Sequence, residues 1–305
     1  MSASNKDLTT LAATLENSPD YRVLSRIERL TSFYSTTTDK KTRKGLLVDV
    51  ETTGLDTKTD VIIELGCILF EYGHDGTIYK IIEEYNGLQD PKIPLDPEIT
   101  KLTGITDADL KDQILDKAKI EILIEKSDFI IAHNSSFDRP MLERQFPQLA
   151  QLPWGCSLKS VDWKSEGIGS AKLDYILFKL GKFHEGHRAV EDCHATLFAL
   201  RAPLPESNTT AMAQILQKAR EPDYRVFAYK APFDKKDDLK ARGYRWSDGS
   251  DSKAKSWYID VSKDELGLEK DYLAGCRIPG GYIPVVKLTP VDLYTDRTLY
   301  LPSSA

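Results

Sequence analysis

Asp49 and Glu51 stand two residues apart at the end of the apolar run Gly45-Leu46-Leu47-Val48-Asp49-Val50-Glu51. Side chains alternate along a strand, so both carboxylates share one face while Val48 and Val50 turn into the core. Two like charges on one face are costly unless a cation sits between them. Alone, the pair would read as a solvated strand end before the Thr52-Thr53-Gly54 turn, but two further segments carry matching chemistry. His133-Asn134-Ser135-Ser136-Phe137-Asp138 follows the short apolar stretch Phe129–Ala132. Ser135 or Ser136 is placed to cap a helix, which puts Asp138 in its first turn. The third segment is His187-Arg188-Ala189-Val190-Glu191-Asp192. Five helical residues rotate by ~500°, a net ~140°, so the imidazole and the carboxylate could not converge if both were helical. Gly186 predicts His187 in a loop and Asp192 one turn into the next helix, which lets the two approach one centre.

In order and spacing these three segments resemble the DEDDh exonucleases, the DnaQ-like family to which the proofreading subunit of bacterial DNA polymerase III and RNase T belong. The resemblance covers about residues 45–201 and is supported by Ile62-Ile63-Glu64-Leu65-Gly66, Leu102-Thr103-Gly104-Ile105-Thr106 and Gly186-His187-Arg188-Ala189. The sister group with Tyr-x3-Asp is excluded because position 188 is Arg. The resemblance implies a metal-dependent 3′→5′ exonuclease that hydrolyses phosphodiester bonds at the 3′ end of DNA, releasing nucleoside 5′-monophosphates. Such hydrolysis needs an activated water and charge stabilisation on the attacking and leaving oxygens, and two divalent ions ~3.5–4 Å apart can supply both. Hard cations such as Mg²⁺ or Mn²⁺ want oxygen ligands, and Asp49, Glu51, Asp138 and Asp192 offer four carboxylates. The resemblance makes Asp49 the bridge between two ions. His187 is the one member of the five that takes a proton near neutral pH, and so is the general-base candidate. Also by resemblance, Leu55 wedges against the terminal base, the backbone of Thr52, Thr53 and Gly54 meets the terminal nucleotide, and His133 and Asn134 line the site.

These residues need elements to carry them. Gly45–Glu51 reads as a strand, Val61–Tyr72 and Thr77–Tyr85 as a hairpin about the Gly73-His74-Asp75-Gly76 turn, and Phe129–Ala132 as a buried strand. Helical patterning covers Ile105–Lys126, a segment through Pro140–Phe146, Leu173–Leu180 and Ala189–Arg201. A strand meander followed by alternating helices and strands implies an α/β fold, a mixed sheet flanked by helices, in keeping with the ribonuclease H-like exonuclease fold. The expected organisation is an N-terminal helical extension over 1–44, with a short helix starting at Ser18-Pro19 and ending near Ser32. The exonuclease domain would span 45–204, a linker helix 205–222, a second, smaller α+β domain 223–275, and a tail 276–305.

Length and charge set the remaining bounds. The chain has 305 residues, a net charge of −6, 41% hydrophobic and 29% charged residues, the balance of an ordinary globular protein. Its cysteines, Cys67, Cys156, Cys193 and Cys276, form no CxxC pair and fit a reducing, cytoplasmic setting. The longest apolar run is about half the ~20 residues a membrane span needs, and Met1–Asp20 lacks a signal-peptide core. His184, His187, Cys193 and His194 match no common zinc spacing, leaving His184 and His194 as surface or packing residues. Residues 224–258 hold nine Lys or Arg, five Asp and eight aromatics. That mix suits single-stranded nucleic acid, although a domain of this size also needs aromatics for its own core. Single-stranded DNA is the favoured partner. The alternatives are an exoribonuclease trimming RNA and a non-catalytic nucleic-acid-binding adaptor. Polymerase association has no support in the sequence, since no clamp-binding stretch follows the exonuclease region, so a repair or processing role is favoured over replication.

Overall fold

The computed structural model of the chain describes residues 5–29, 31–33, 41–276, 278 and 281–301. In order run α1 (Asn5–Glu16), β1 (Ser25–Arg26), β2 (Thr42–Thr52), β3 (Ile62–Gly73), β4 (Ile78–Leu88), α2 (Pro97–Thr103), α3 (Asp107–Leu110), α4 (Lys117–Glu125), β5 (Phe129–Ala132) and α5 (Ser135–Glu143). Then follow β6 (Trp154–Cys156), α6 (Leu173–Lys179), β7 (Lys182–Phe183), α7 (Ala189–Arg201), α8 (Ala211–Arg220), β8 (Asp223–Ala228), α9 (Lys236–Ala241), β9 (Arg245–Asp248), β10 (Lys255–Val261), α10 (Leu266–Gly275) and β11 (Val285–Leu288). No described helix is long and apolar enough to cross a membrane.

The first domain is built on a five-stranded sheet in the order β4-β3-β2-β5-β6. Strands β2, β3 and β4 pair antiparallel, while β5 and β6 continue parallel to β2. The alternation along β2 separates two cores. Leu46, Val48 and Val50 face Ile120 and Leu123 of α4 and Met141 and Leu142 of α5. Leu47 faces the opposite layer, with Cys193 and Leu197 of α7 and Met212 and Ile215 of α8. Helices thus cover both faces of a mixed sheet, the α/β architecture expected.

Two expected helices differ. Ile105–Lys126 is not continuous: α3 and α4 are separated at 111–116, where Asp112 takes φ 60°. Each half has its own start signal, a Thr106–Asp109 capping box for α3 and Asp116 accepting the Lys119 N–H for α4, and two N-caps in one run split it. At the N-terminus the helix lies before Ser18-Pro19, at Asn5–Glu16, whereas Ser25–Arg26 pairs parallel with β7.

The small domain is a four-stranded antiparallel sheet, β11-β8-β10-β9. Residues expected to form only a tail therefore supply its edge strand β11. One face packs Val226, Ala228 and Val261 against Leu239 of α9 and Leu273 of α10. Phe227 and Tyr258 on the other face pack against Leu299. The last segment also reaches the first domain. Arg139 of α5 is fully buried, and its guanidinium donates to the carbonyls of Leu293 at 2.6 Å and Val291 at 2.7 Å and to Glu143 at 2.6 Å. The Trp154 N–H donates to the Pro290 carbonyl at 2.9 Å, so the segment after β11 straps the two domains together.

Candidate active site

The site forms where β2 outruns its parallel neighbour. Pairing of β2 with β5 ends at Leu47–Ile131, and past that point the β5 side of β2 is open. Asp138, in the first turn of α5, enters the gap and accepts the Val50 N–H through Oδ1 at 3.2 Å. From the other layer α7 lies directly on β3. Gly66, the register partner of Asp49, carries no side chain where a Cβ would stand 2.5 Å from the Ala189 carbonyl carbon and the Val190 nitrogen. That close approach brings Asp192 over β2. One carboxylate oxygen each from Asp49, Glu51 and Asp192 lies within 4.8 Å of the others.

Clustering burdens these acids. Burial, then repulsion from Asp138, Asp192 and Glu51, holds the Asp49 carboxyl well above its ordinary range. Burial and the neighbouring Asp192 push Glu51 up to about 8, and burial pushes Asp138 up to about 7. A cation among the three oxygens would remove the repulsion that burial amplifies. Oxygen-only donors fit a hard divalent ion.

The two histidines differ from expectation in an informative way. His187 does stand in the loop before α7, at φ 66°, with an exposed side chain. Its link to the cluster is its backbone N–H, which donates to Asp192 Oδ2 at 2.9 Å. His184, expected at the surface or in packing, has a buried side chain, and its Nε2 lies 2.5 Å from Asp192 Oδ1. Sequence reasoning also assigned no role to Glu64. It is fully buried and accepts from Arg188 at 3.0–3.2 Å, from Asn86 at 3.0 Å and from the Ala189 N–H at 3.1 Å. A carboxylate on the first amide of α7 complements the helix dipole and fixes the helix that carries Asp192. The available signal was a lone acid inside the apolar run 61–70, which burial obliges to have partners.

The residues expected to meet a nucleotide lie at the end of β2 and in the loop that follows it, and between β5 and α5. Thr52 Oγ donates to the Gly54 carbonyl at 2.6 Å, and Thr53 Oγ donates to Asp60 at 2.9 Å. These bonds set a tight loop from which Leu55 projects, 87% exposed. The His133 Nδ1 lies 2.8 Å from Ser157 Oγ, its Nε2 is buried without a partner, and burial pushes the ring down to about 4. Asn134 begins α5 without a side-chain capping bond, and Ser135 bonds the Gly155 carbonyl instead of capping.

Residues 46–200 match the family model described as exonuclease. The chain belongs to the exonuclease family. The DnaQ-like resemblance read from the three motifs therefore holds, and all five acid and histidine positions fall inside the matched exonuclease region. Among similar proteins, DNA polymerase III PolC-type of Caldanaerobacter subterraneus is 30% identical over 158 residues, covering 50% of this chain and 11% of that protein. The PolC-type polymerase of Bacillus subtilis is 29% identical over 178 residues, covering 53% and 11%. The exonuclease chain thus spans about a tenth of the length of these relatives. Among solved structures, Exonuclease X in complex with 5′ overhanging duplex DNA is 26% identical with a TM-score of 0.41, covering 56% of this chain and 99% of that one. E. coli Exonuclease I in complex with a dA16 oligonucleotide is 15% identical with a TM-score of 0.46, covering 76% and 68%.

Proposed function

We propose that this chain is a metal-dependent 3′→5′ exonuclease that removes nucleoside 5′-monophosphates from the 3′ end of DNA, with single-stranded or frayed ends as substrate. The observation that carries this reading is the meeting of Asp49, Glu51 and Asp192 within 4.8 Å, with Asp138 buried beside them, in a member of the exonuclease family. Asp49, Glu51, Asp138 and Asp192 are the residues that would hold Mg²⁺ or Mn²⁺, two ions in our reading. When bound, such ions activate water and stabilise charge on the phosphoryl oxygens.

The chain's own residues supply the rest. Leu55 offers an exposed apolar surface against the terminal base, and the Thr52–Gly54 loop presents its backbone to the terminal nucleotide. His133, kept neutral by burial and bonded to Ser157, lines the wall of the site in our reading, with Asn134 beside it. The exposed His187 imidazole takes the proton of the attacking water, while its backbone N–H and His184 orient Asp192. Glu64 and Arg188 hold α7 in place. Four free, buried cysteines fit a reducing, cytoplasmic location.

Labelled single-stranded DNA and RNA with Mg²⁺, each with the Asp138→Ala variant as control, test the proposal. The expected result is a 3′→5′ ladder on DNA that EDTA and Asp138→Ala both abolish. A ladder on RNA alone would shift the reading to an exoribonuclease. Binding without cleavage of either would make the chain an adaptor, and restoration by zinc alone would overturn the metal assignment.

A further inference from the structure

Between the two domains lies a cleft of about 980 Å³. Eight of its lining residues are Lys or Arg and three are Asp, on a chain whose net charge is −6. Ser136 and Pro140 share one face of α5, the face turned away from Asp138, and the cleft's tie to the site is the loop after β2, where Thr57 and Lys58 follow Leu55. Most of the cations already have carboxylates. Asp260 takes Arg225 at 2.6 Å and Arg245 at 2.8 Å, Lys218 pairs with Asp223, and Arg297 pairs with Glu143. Arg144 and Lys159 have only neutral partners among the described hydrogen bonds. The Arg144 guanidinium donates to the carbonyls of Asp60 at 2.6 Å and Thr57 at 3.0 Å, and Lys159 Nζ donates to Ser136 Oγ at 2.6 Å.

Lys159, from the exonuclease domain, is close enough to Arg245, from the small domain, to be repelled by it, and burial with that repulsion lowers its affinity for a proton. Arg245 is half-exposed and already paired with Asp260, so a phosphate entering here would share it with that carboxylate and would meet Lys159 as a cation whose hydrogen-bond partner is neutral. Arg245 sits on the sheet face that carries Tyr258 and Arg225, with its guanidinium 4.7 Å from the Tyr258 ring. Trp246 alternates to the other face, where its ring lies tilted 5.4 Å from that of Trp257. Phe227, Tyr244 and Tyr258 are core residues, so the aromatic density of this domain mostly serves its own packing. Of the tyrosines lining the cleft, Tyr258, Tyr294 and Tyr300, Tyr300 is the most exposed, at 49%.

We infer that this interdomain cleft binds backbone phosphates of the strand being degraded, gripped by Lys159 and Arg144 on one wall and Arg245 on the other. The inference rests on the nuclease reading above and adds where the strand runs. A volume at the upper end of the ~300–1,000 Å³ range of ligand pockets accommodates a few nucleotides of one strand, with Tyr300 placed for a base. Affinity should then be salt-dependent with a share carried by these cations, about 0.7 in the log–log slope per phosphate contact for a single strand.

The test uses the full chain in EDTA, which prevents cleavage, and fluorescence anisotropy with a labelled thymidylate 20-mer. Wild type, Lys159→Gln, Arg245→Gln and the double variant are titrated between 50 and 200 mM salt. Each lost contact should shrink the affinity ratio across that range by roughly 2.6-fold, and the pair by about sevenfold. Melting temperatures verify folding, and Arg144→Gln provides an independent third position. Loss of slope in the variants supports the inference even if wild type then fails to cleave with Mg²⁺, an outcome that would sink the nuclease reading alone. Cleavage by wild type with unchanged slope and affinity in the variants would overturn the cleft alone, leaving it to an acidic protein partner.

Discussion

Raising the pH in the absence of metal should destabilise this protein, and divalent ions should reverse the loss. Glu51 rises from 4.5 to about 8, Asp138 from 3.8 to about 7, and Asp49 moves in the same direction. These are carboxyls whose folded-state pKa lies above the unfolded value, so the folded chain holds the extra protons. Their ionisation therefore costs nothing below about pH 4, and stability falls as pH rises from there through about 8. At 1.36 kcal/mol per unit, Glu51 alone sets a ceiling of about 5 kcal/mol. Solvent reaching its partly exposed side chain screens this to roughly 2–3 kcal/mol, and the three acids titrate together, so their shifts are not added. For a chain of this size that is about 3–5 °C in Tm. Thermal melts in EDTA at pH 5, 6, 7 and 8 should show the decline, and Mg²⁺ held throughout at one concentration, 100 times its Kd at pH 8, should return ~2.7 kcal/mol at that pH. The return should be larger at pH 8 than at pH 5, where protons compete for the same oxygens. A flat metal-free profile, or an equal metal effect at every pH, would refute the reasoning.

Replacing His187 with Ala should lower kcat on an oligonucleotide by ~10²–10⁴-fold with a small change in KM; wild-type kcat across pH 6–9 would remove it as the base. Glu64→Gln should cost ~1–3 kcal/mol of stability and lower kcat as α7 loosens, read by chemical denaturation and single-turnover kinetics. A normal kcat there would mean Arg188 and the α7 terminus do not position Asp192. Arg139→Ala should destabilise by about 3–5 kcal/mol, because Glu143 loses its buried partner, whereas an unchanged denaturation midpoint would show that the strap contributes nothing.

Much of the site was legible because its signals are local. Alternation along β2 puts Asp49 and Glu51 on one face, and Gly186 before His187 marks the loop where that residue stands. Long-range partnerships were not. Nothing near His184 in the sequence indicates that its ring meets Asp192 eight residues on, across the loop that turns into α7. Glu64 and Arg188 lie 124 residues apart and become neighbours only when α7 settles on Gly66. The fourth strand of the small domain was hidden for a different reason: Val285–Leu288 is too short to show a period, and its pairing with β8 is what defines it. The broken helix at 105–126 was readable, since Thr106-x-x-Asp109 and Asp116 are both start signals, and the apolar pattern outweighed them.

The strap across Arg139 also bears on how this chain is made. Arg139 leaves the ribosome with the exonuclease domain, but the carbonyls of Val291 and Leu293 that answer its guanidinium are made about 90 residues after α7 ends. At ~5–20 residues per second that is a delay of roughly 5–18 s. During it the helix carrying Asp138 holds a cation with half its acceptors missing, and such a group resists burial. The seating of α5, the helix that carries Asp138, is thereby coupled to a segment synthesised about 90 residues after α7.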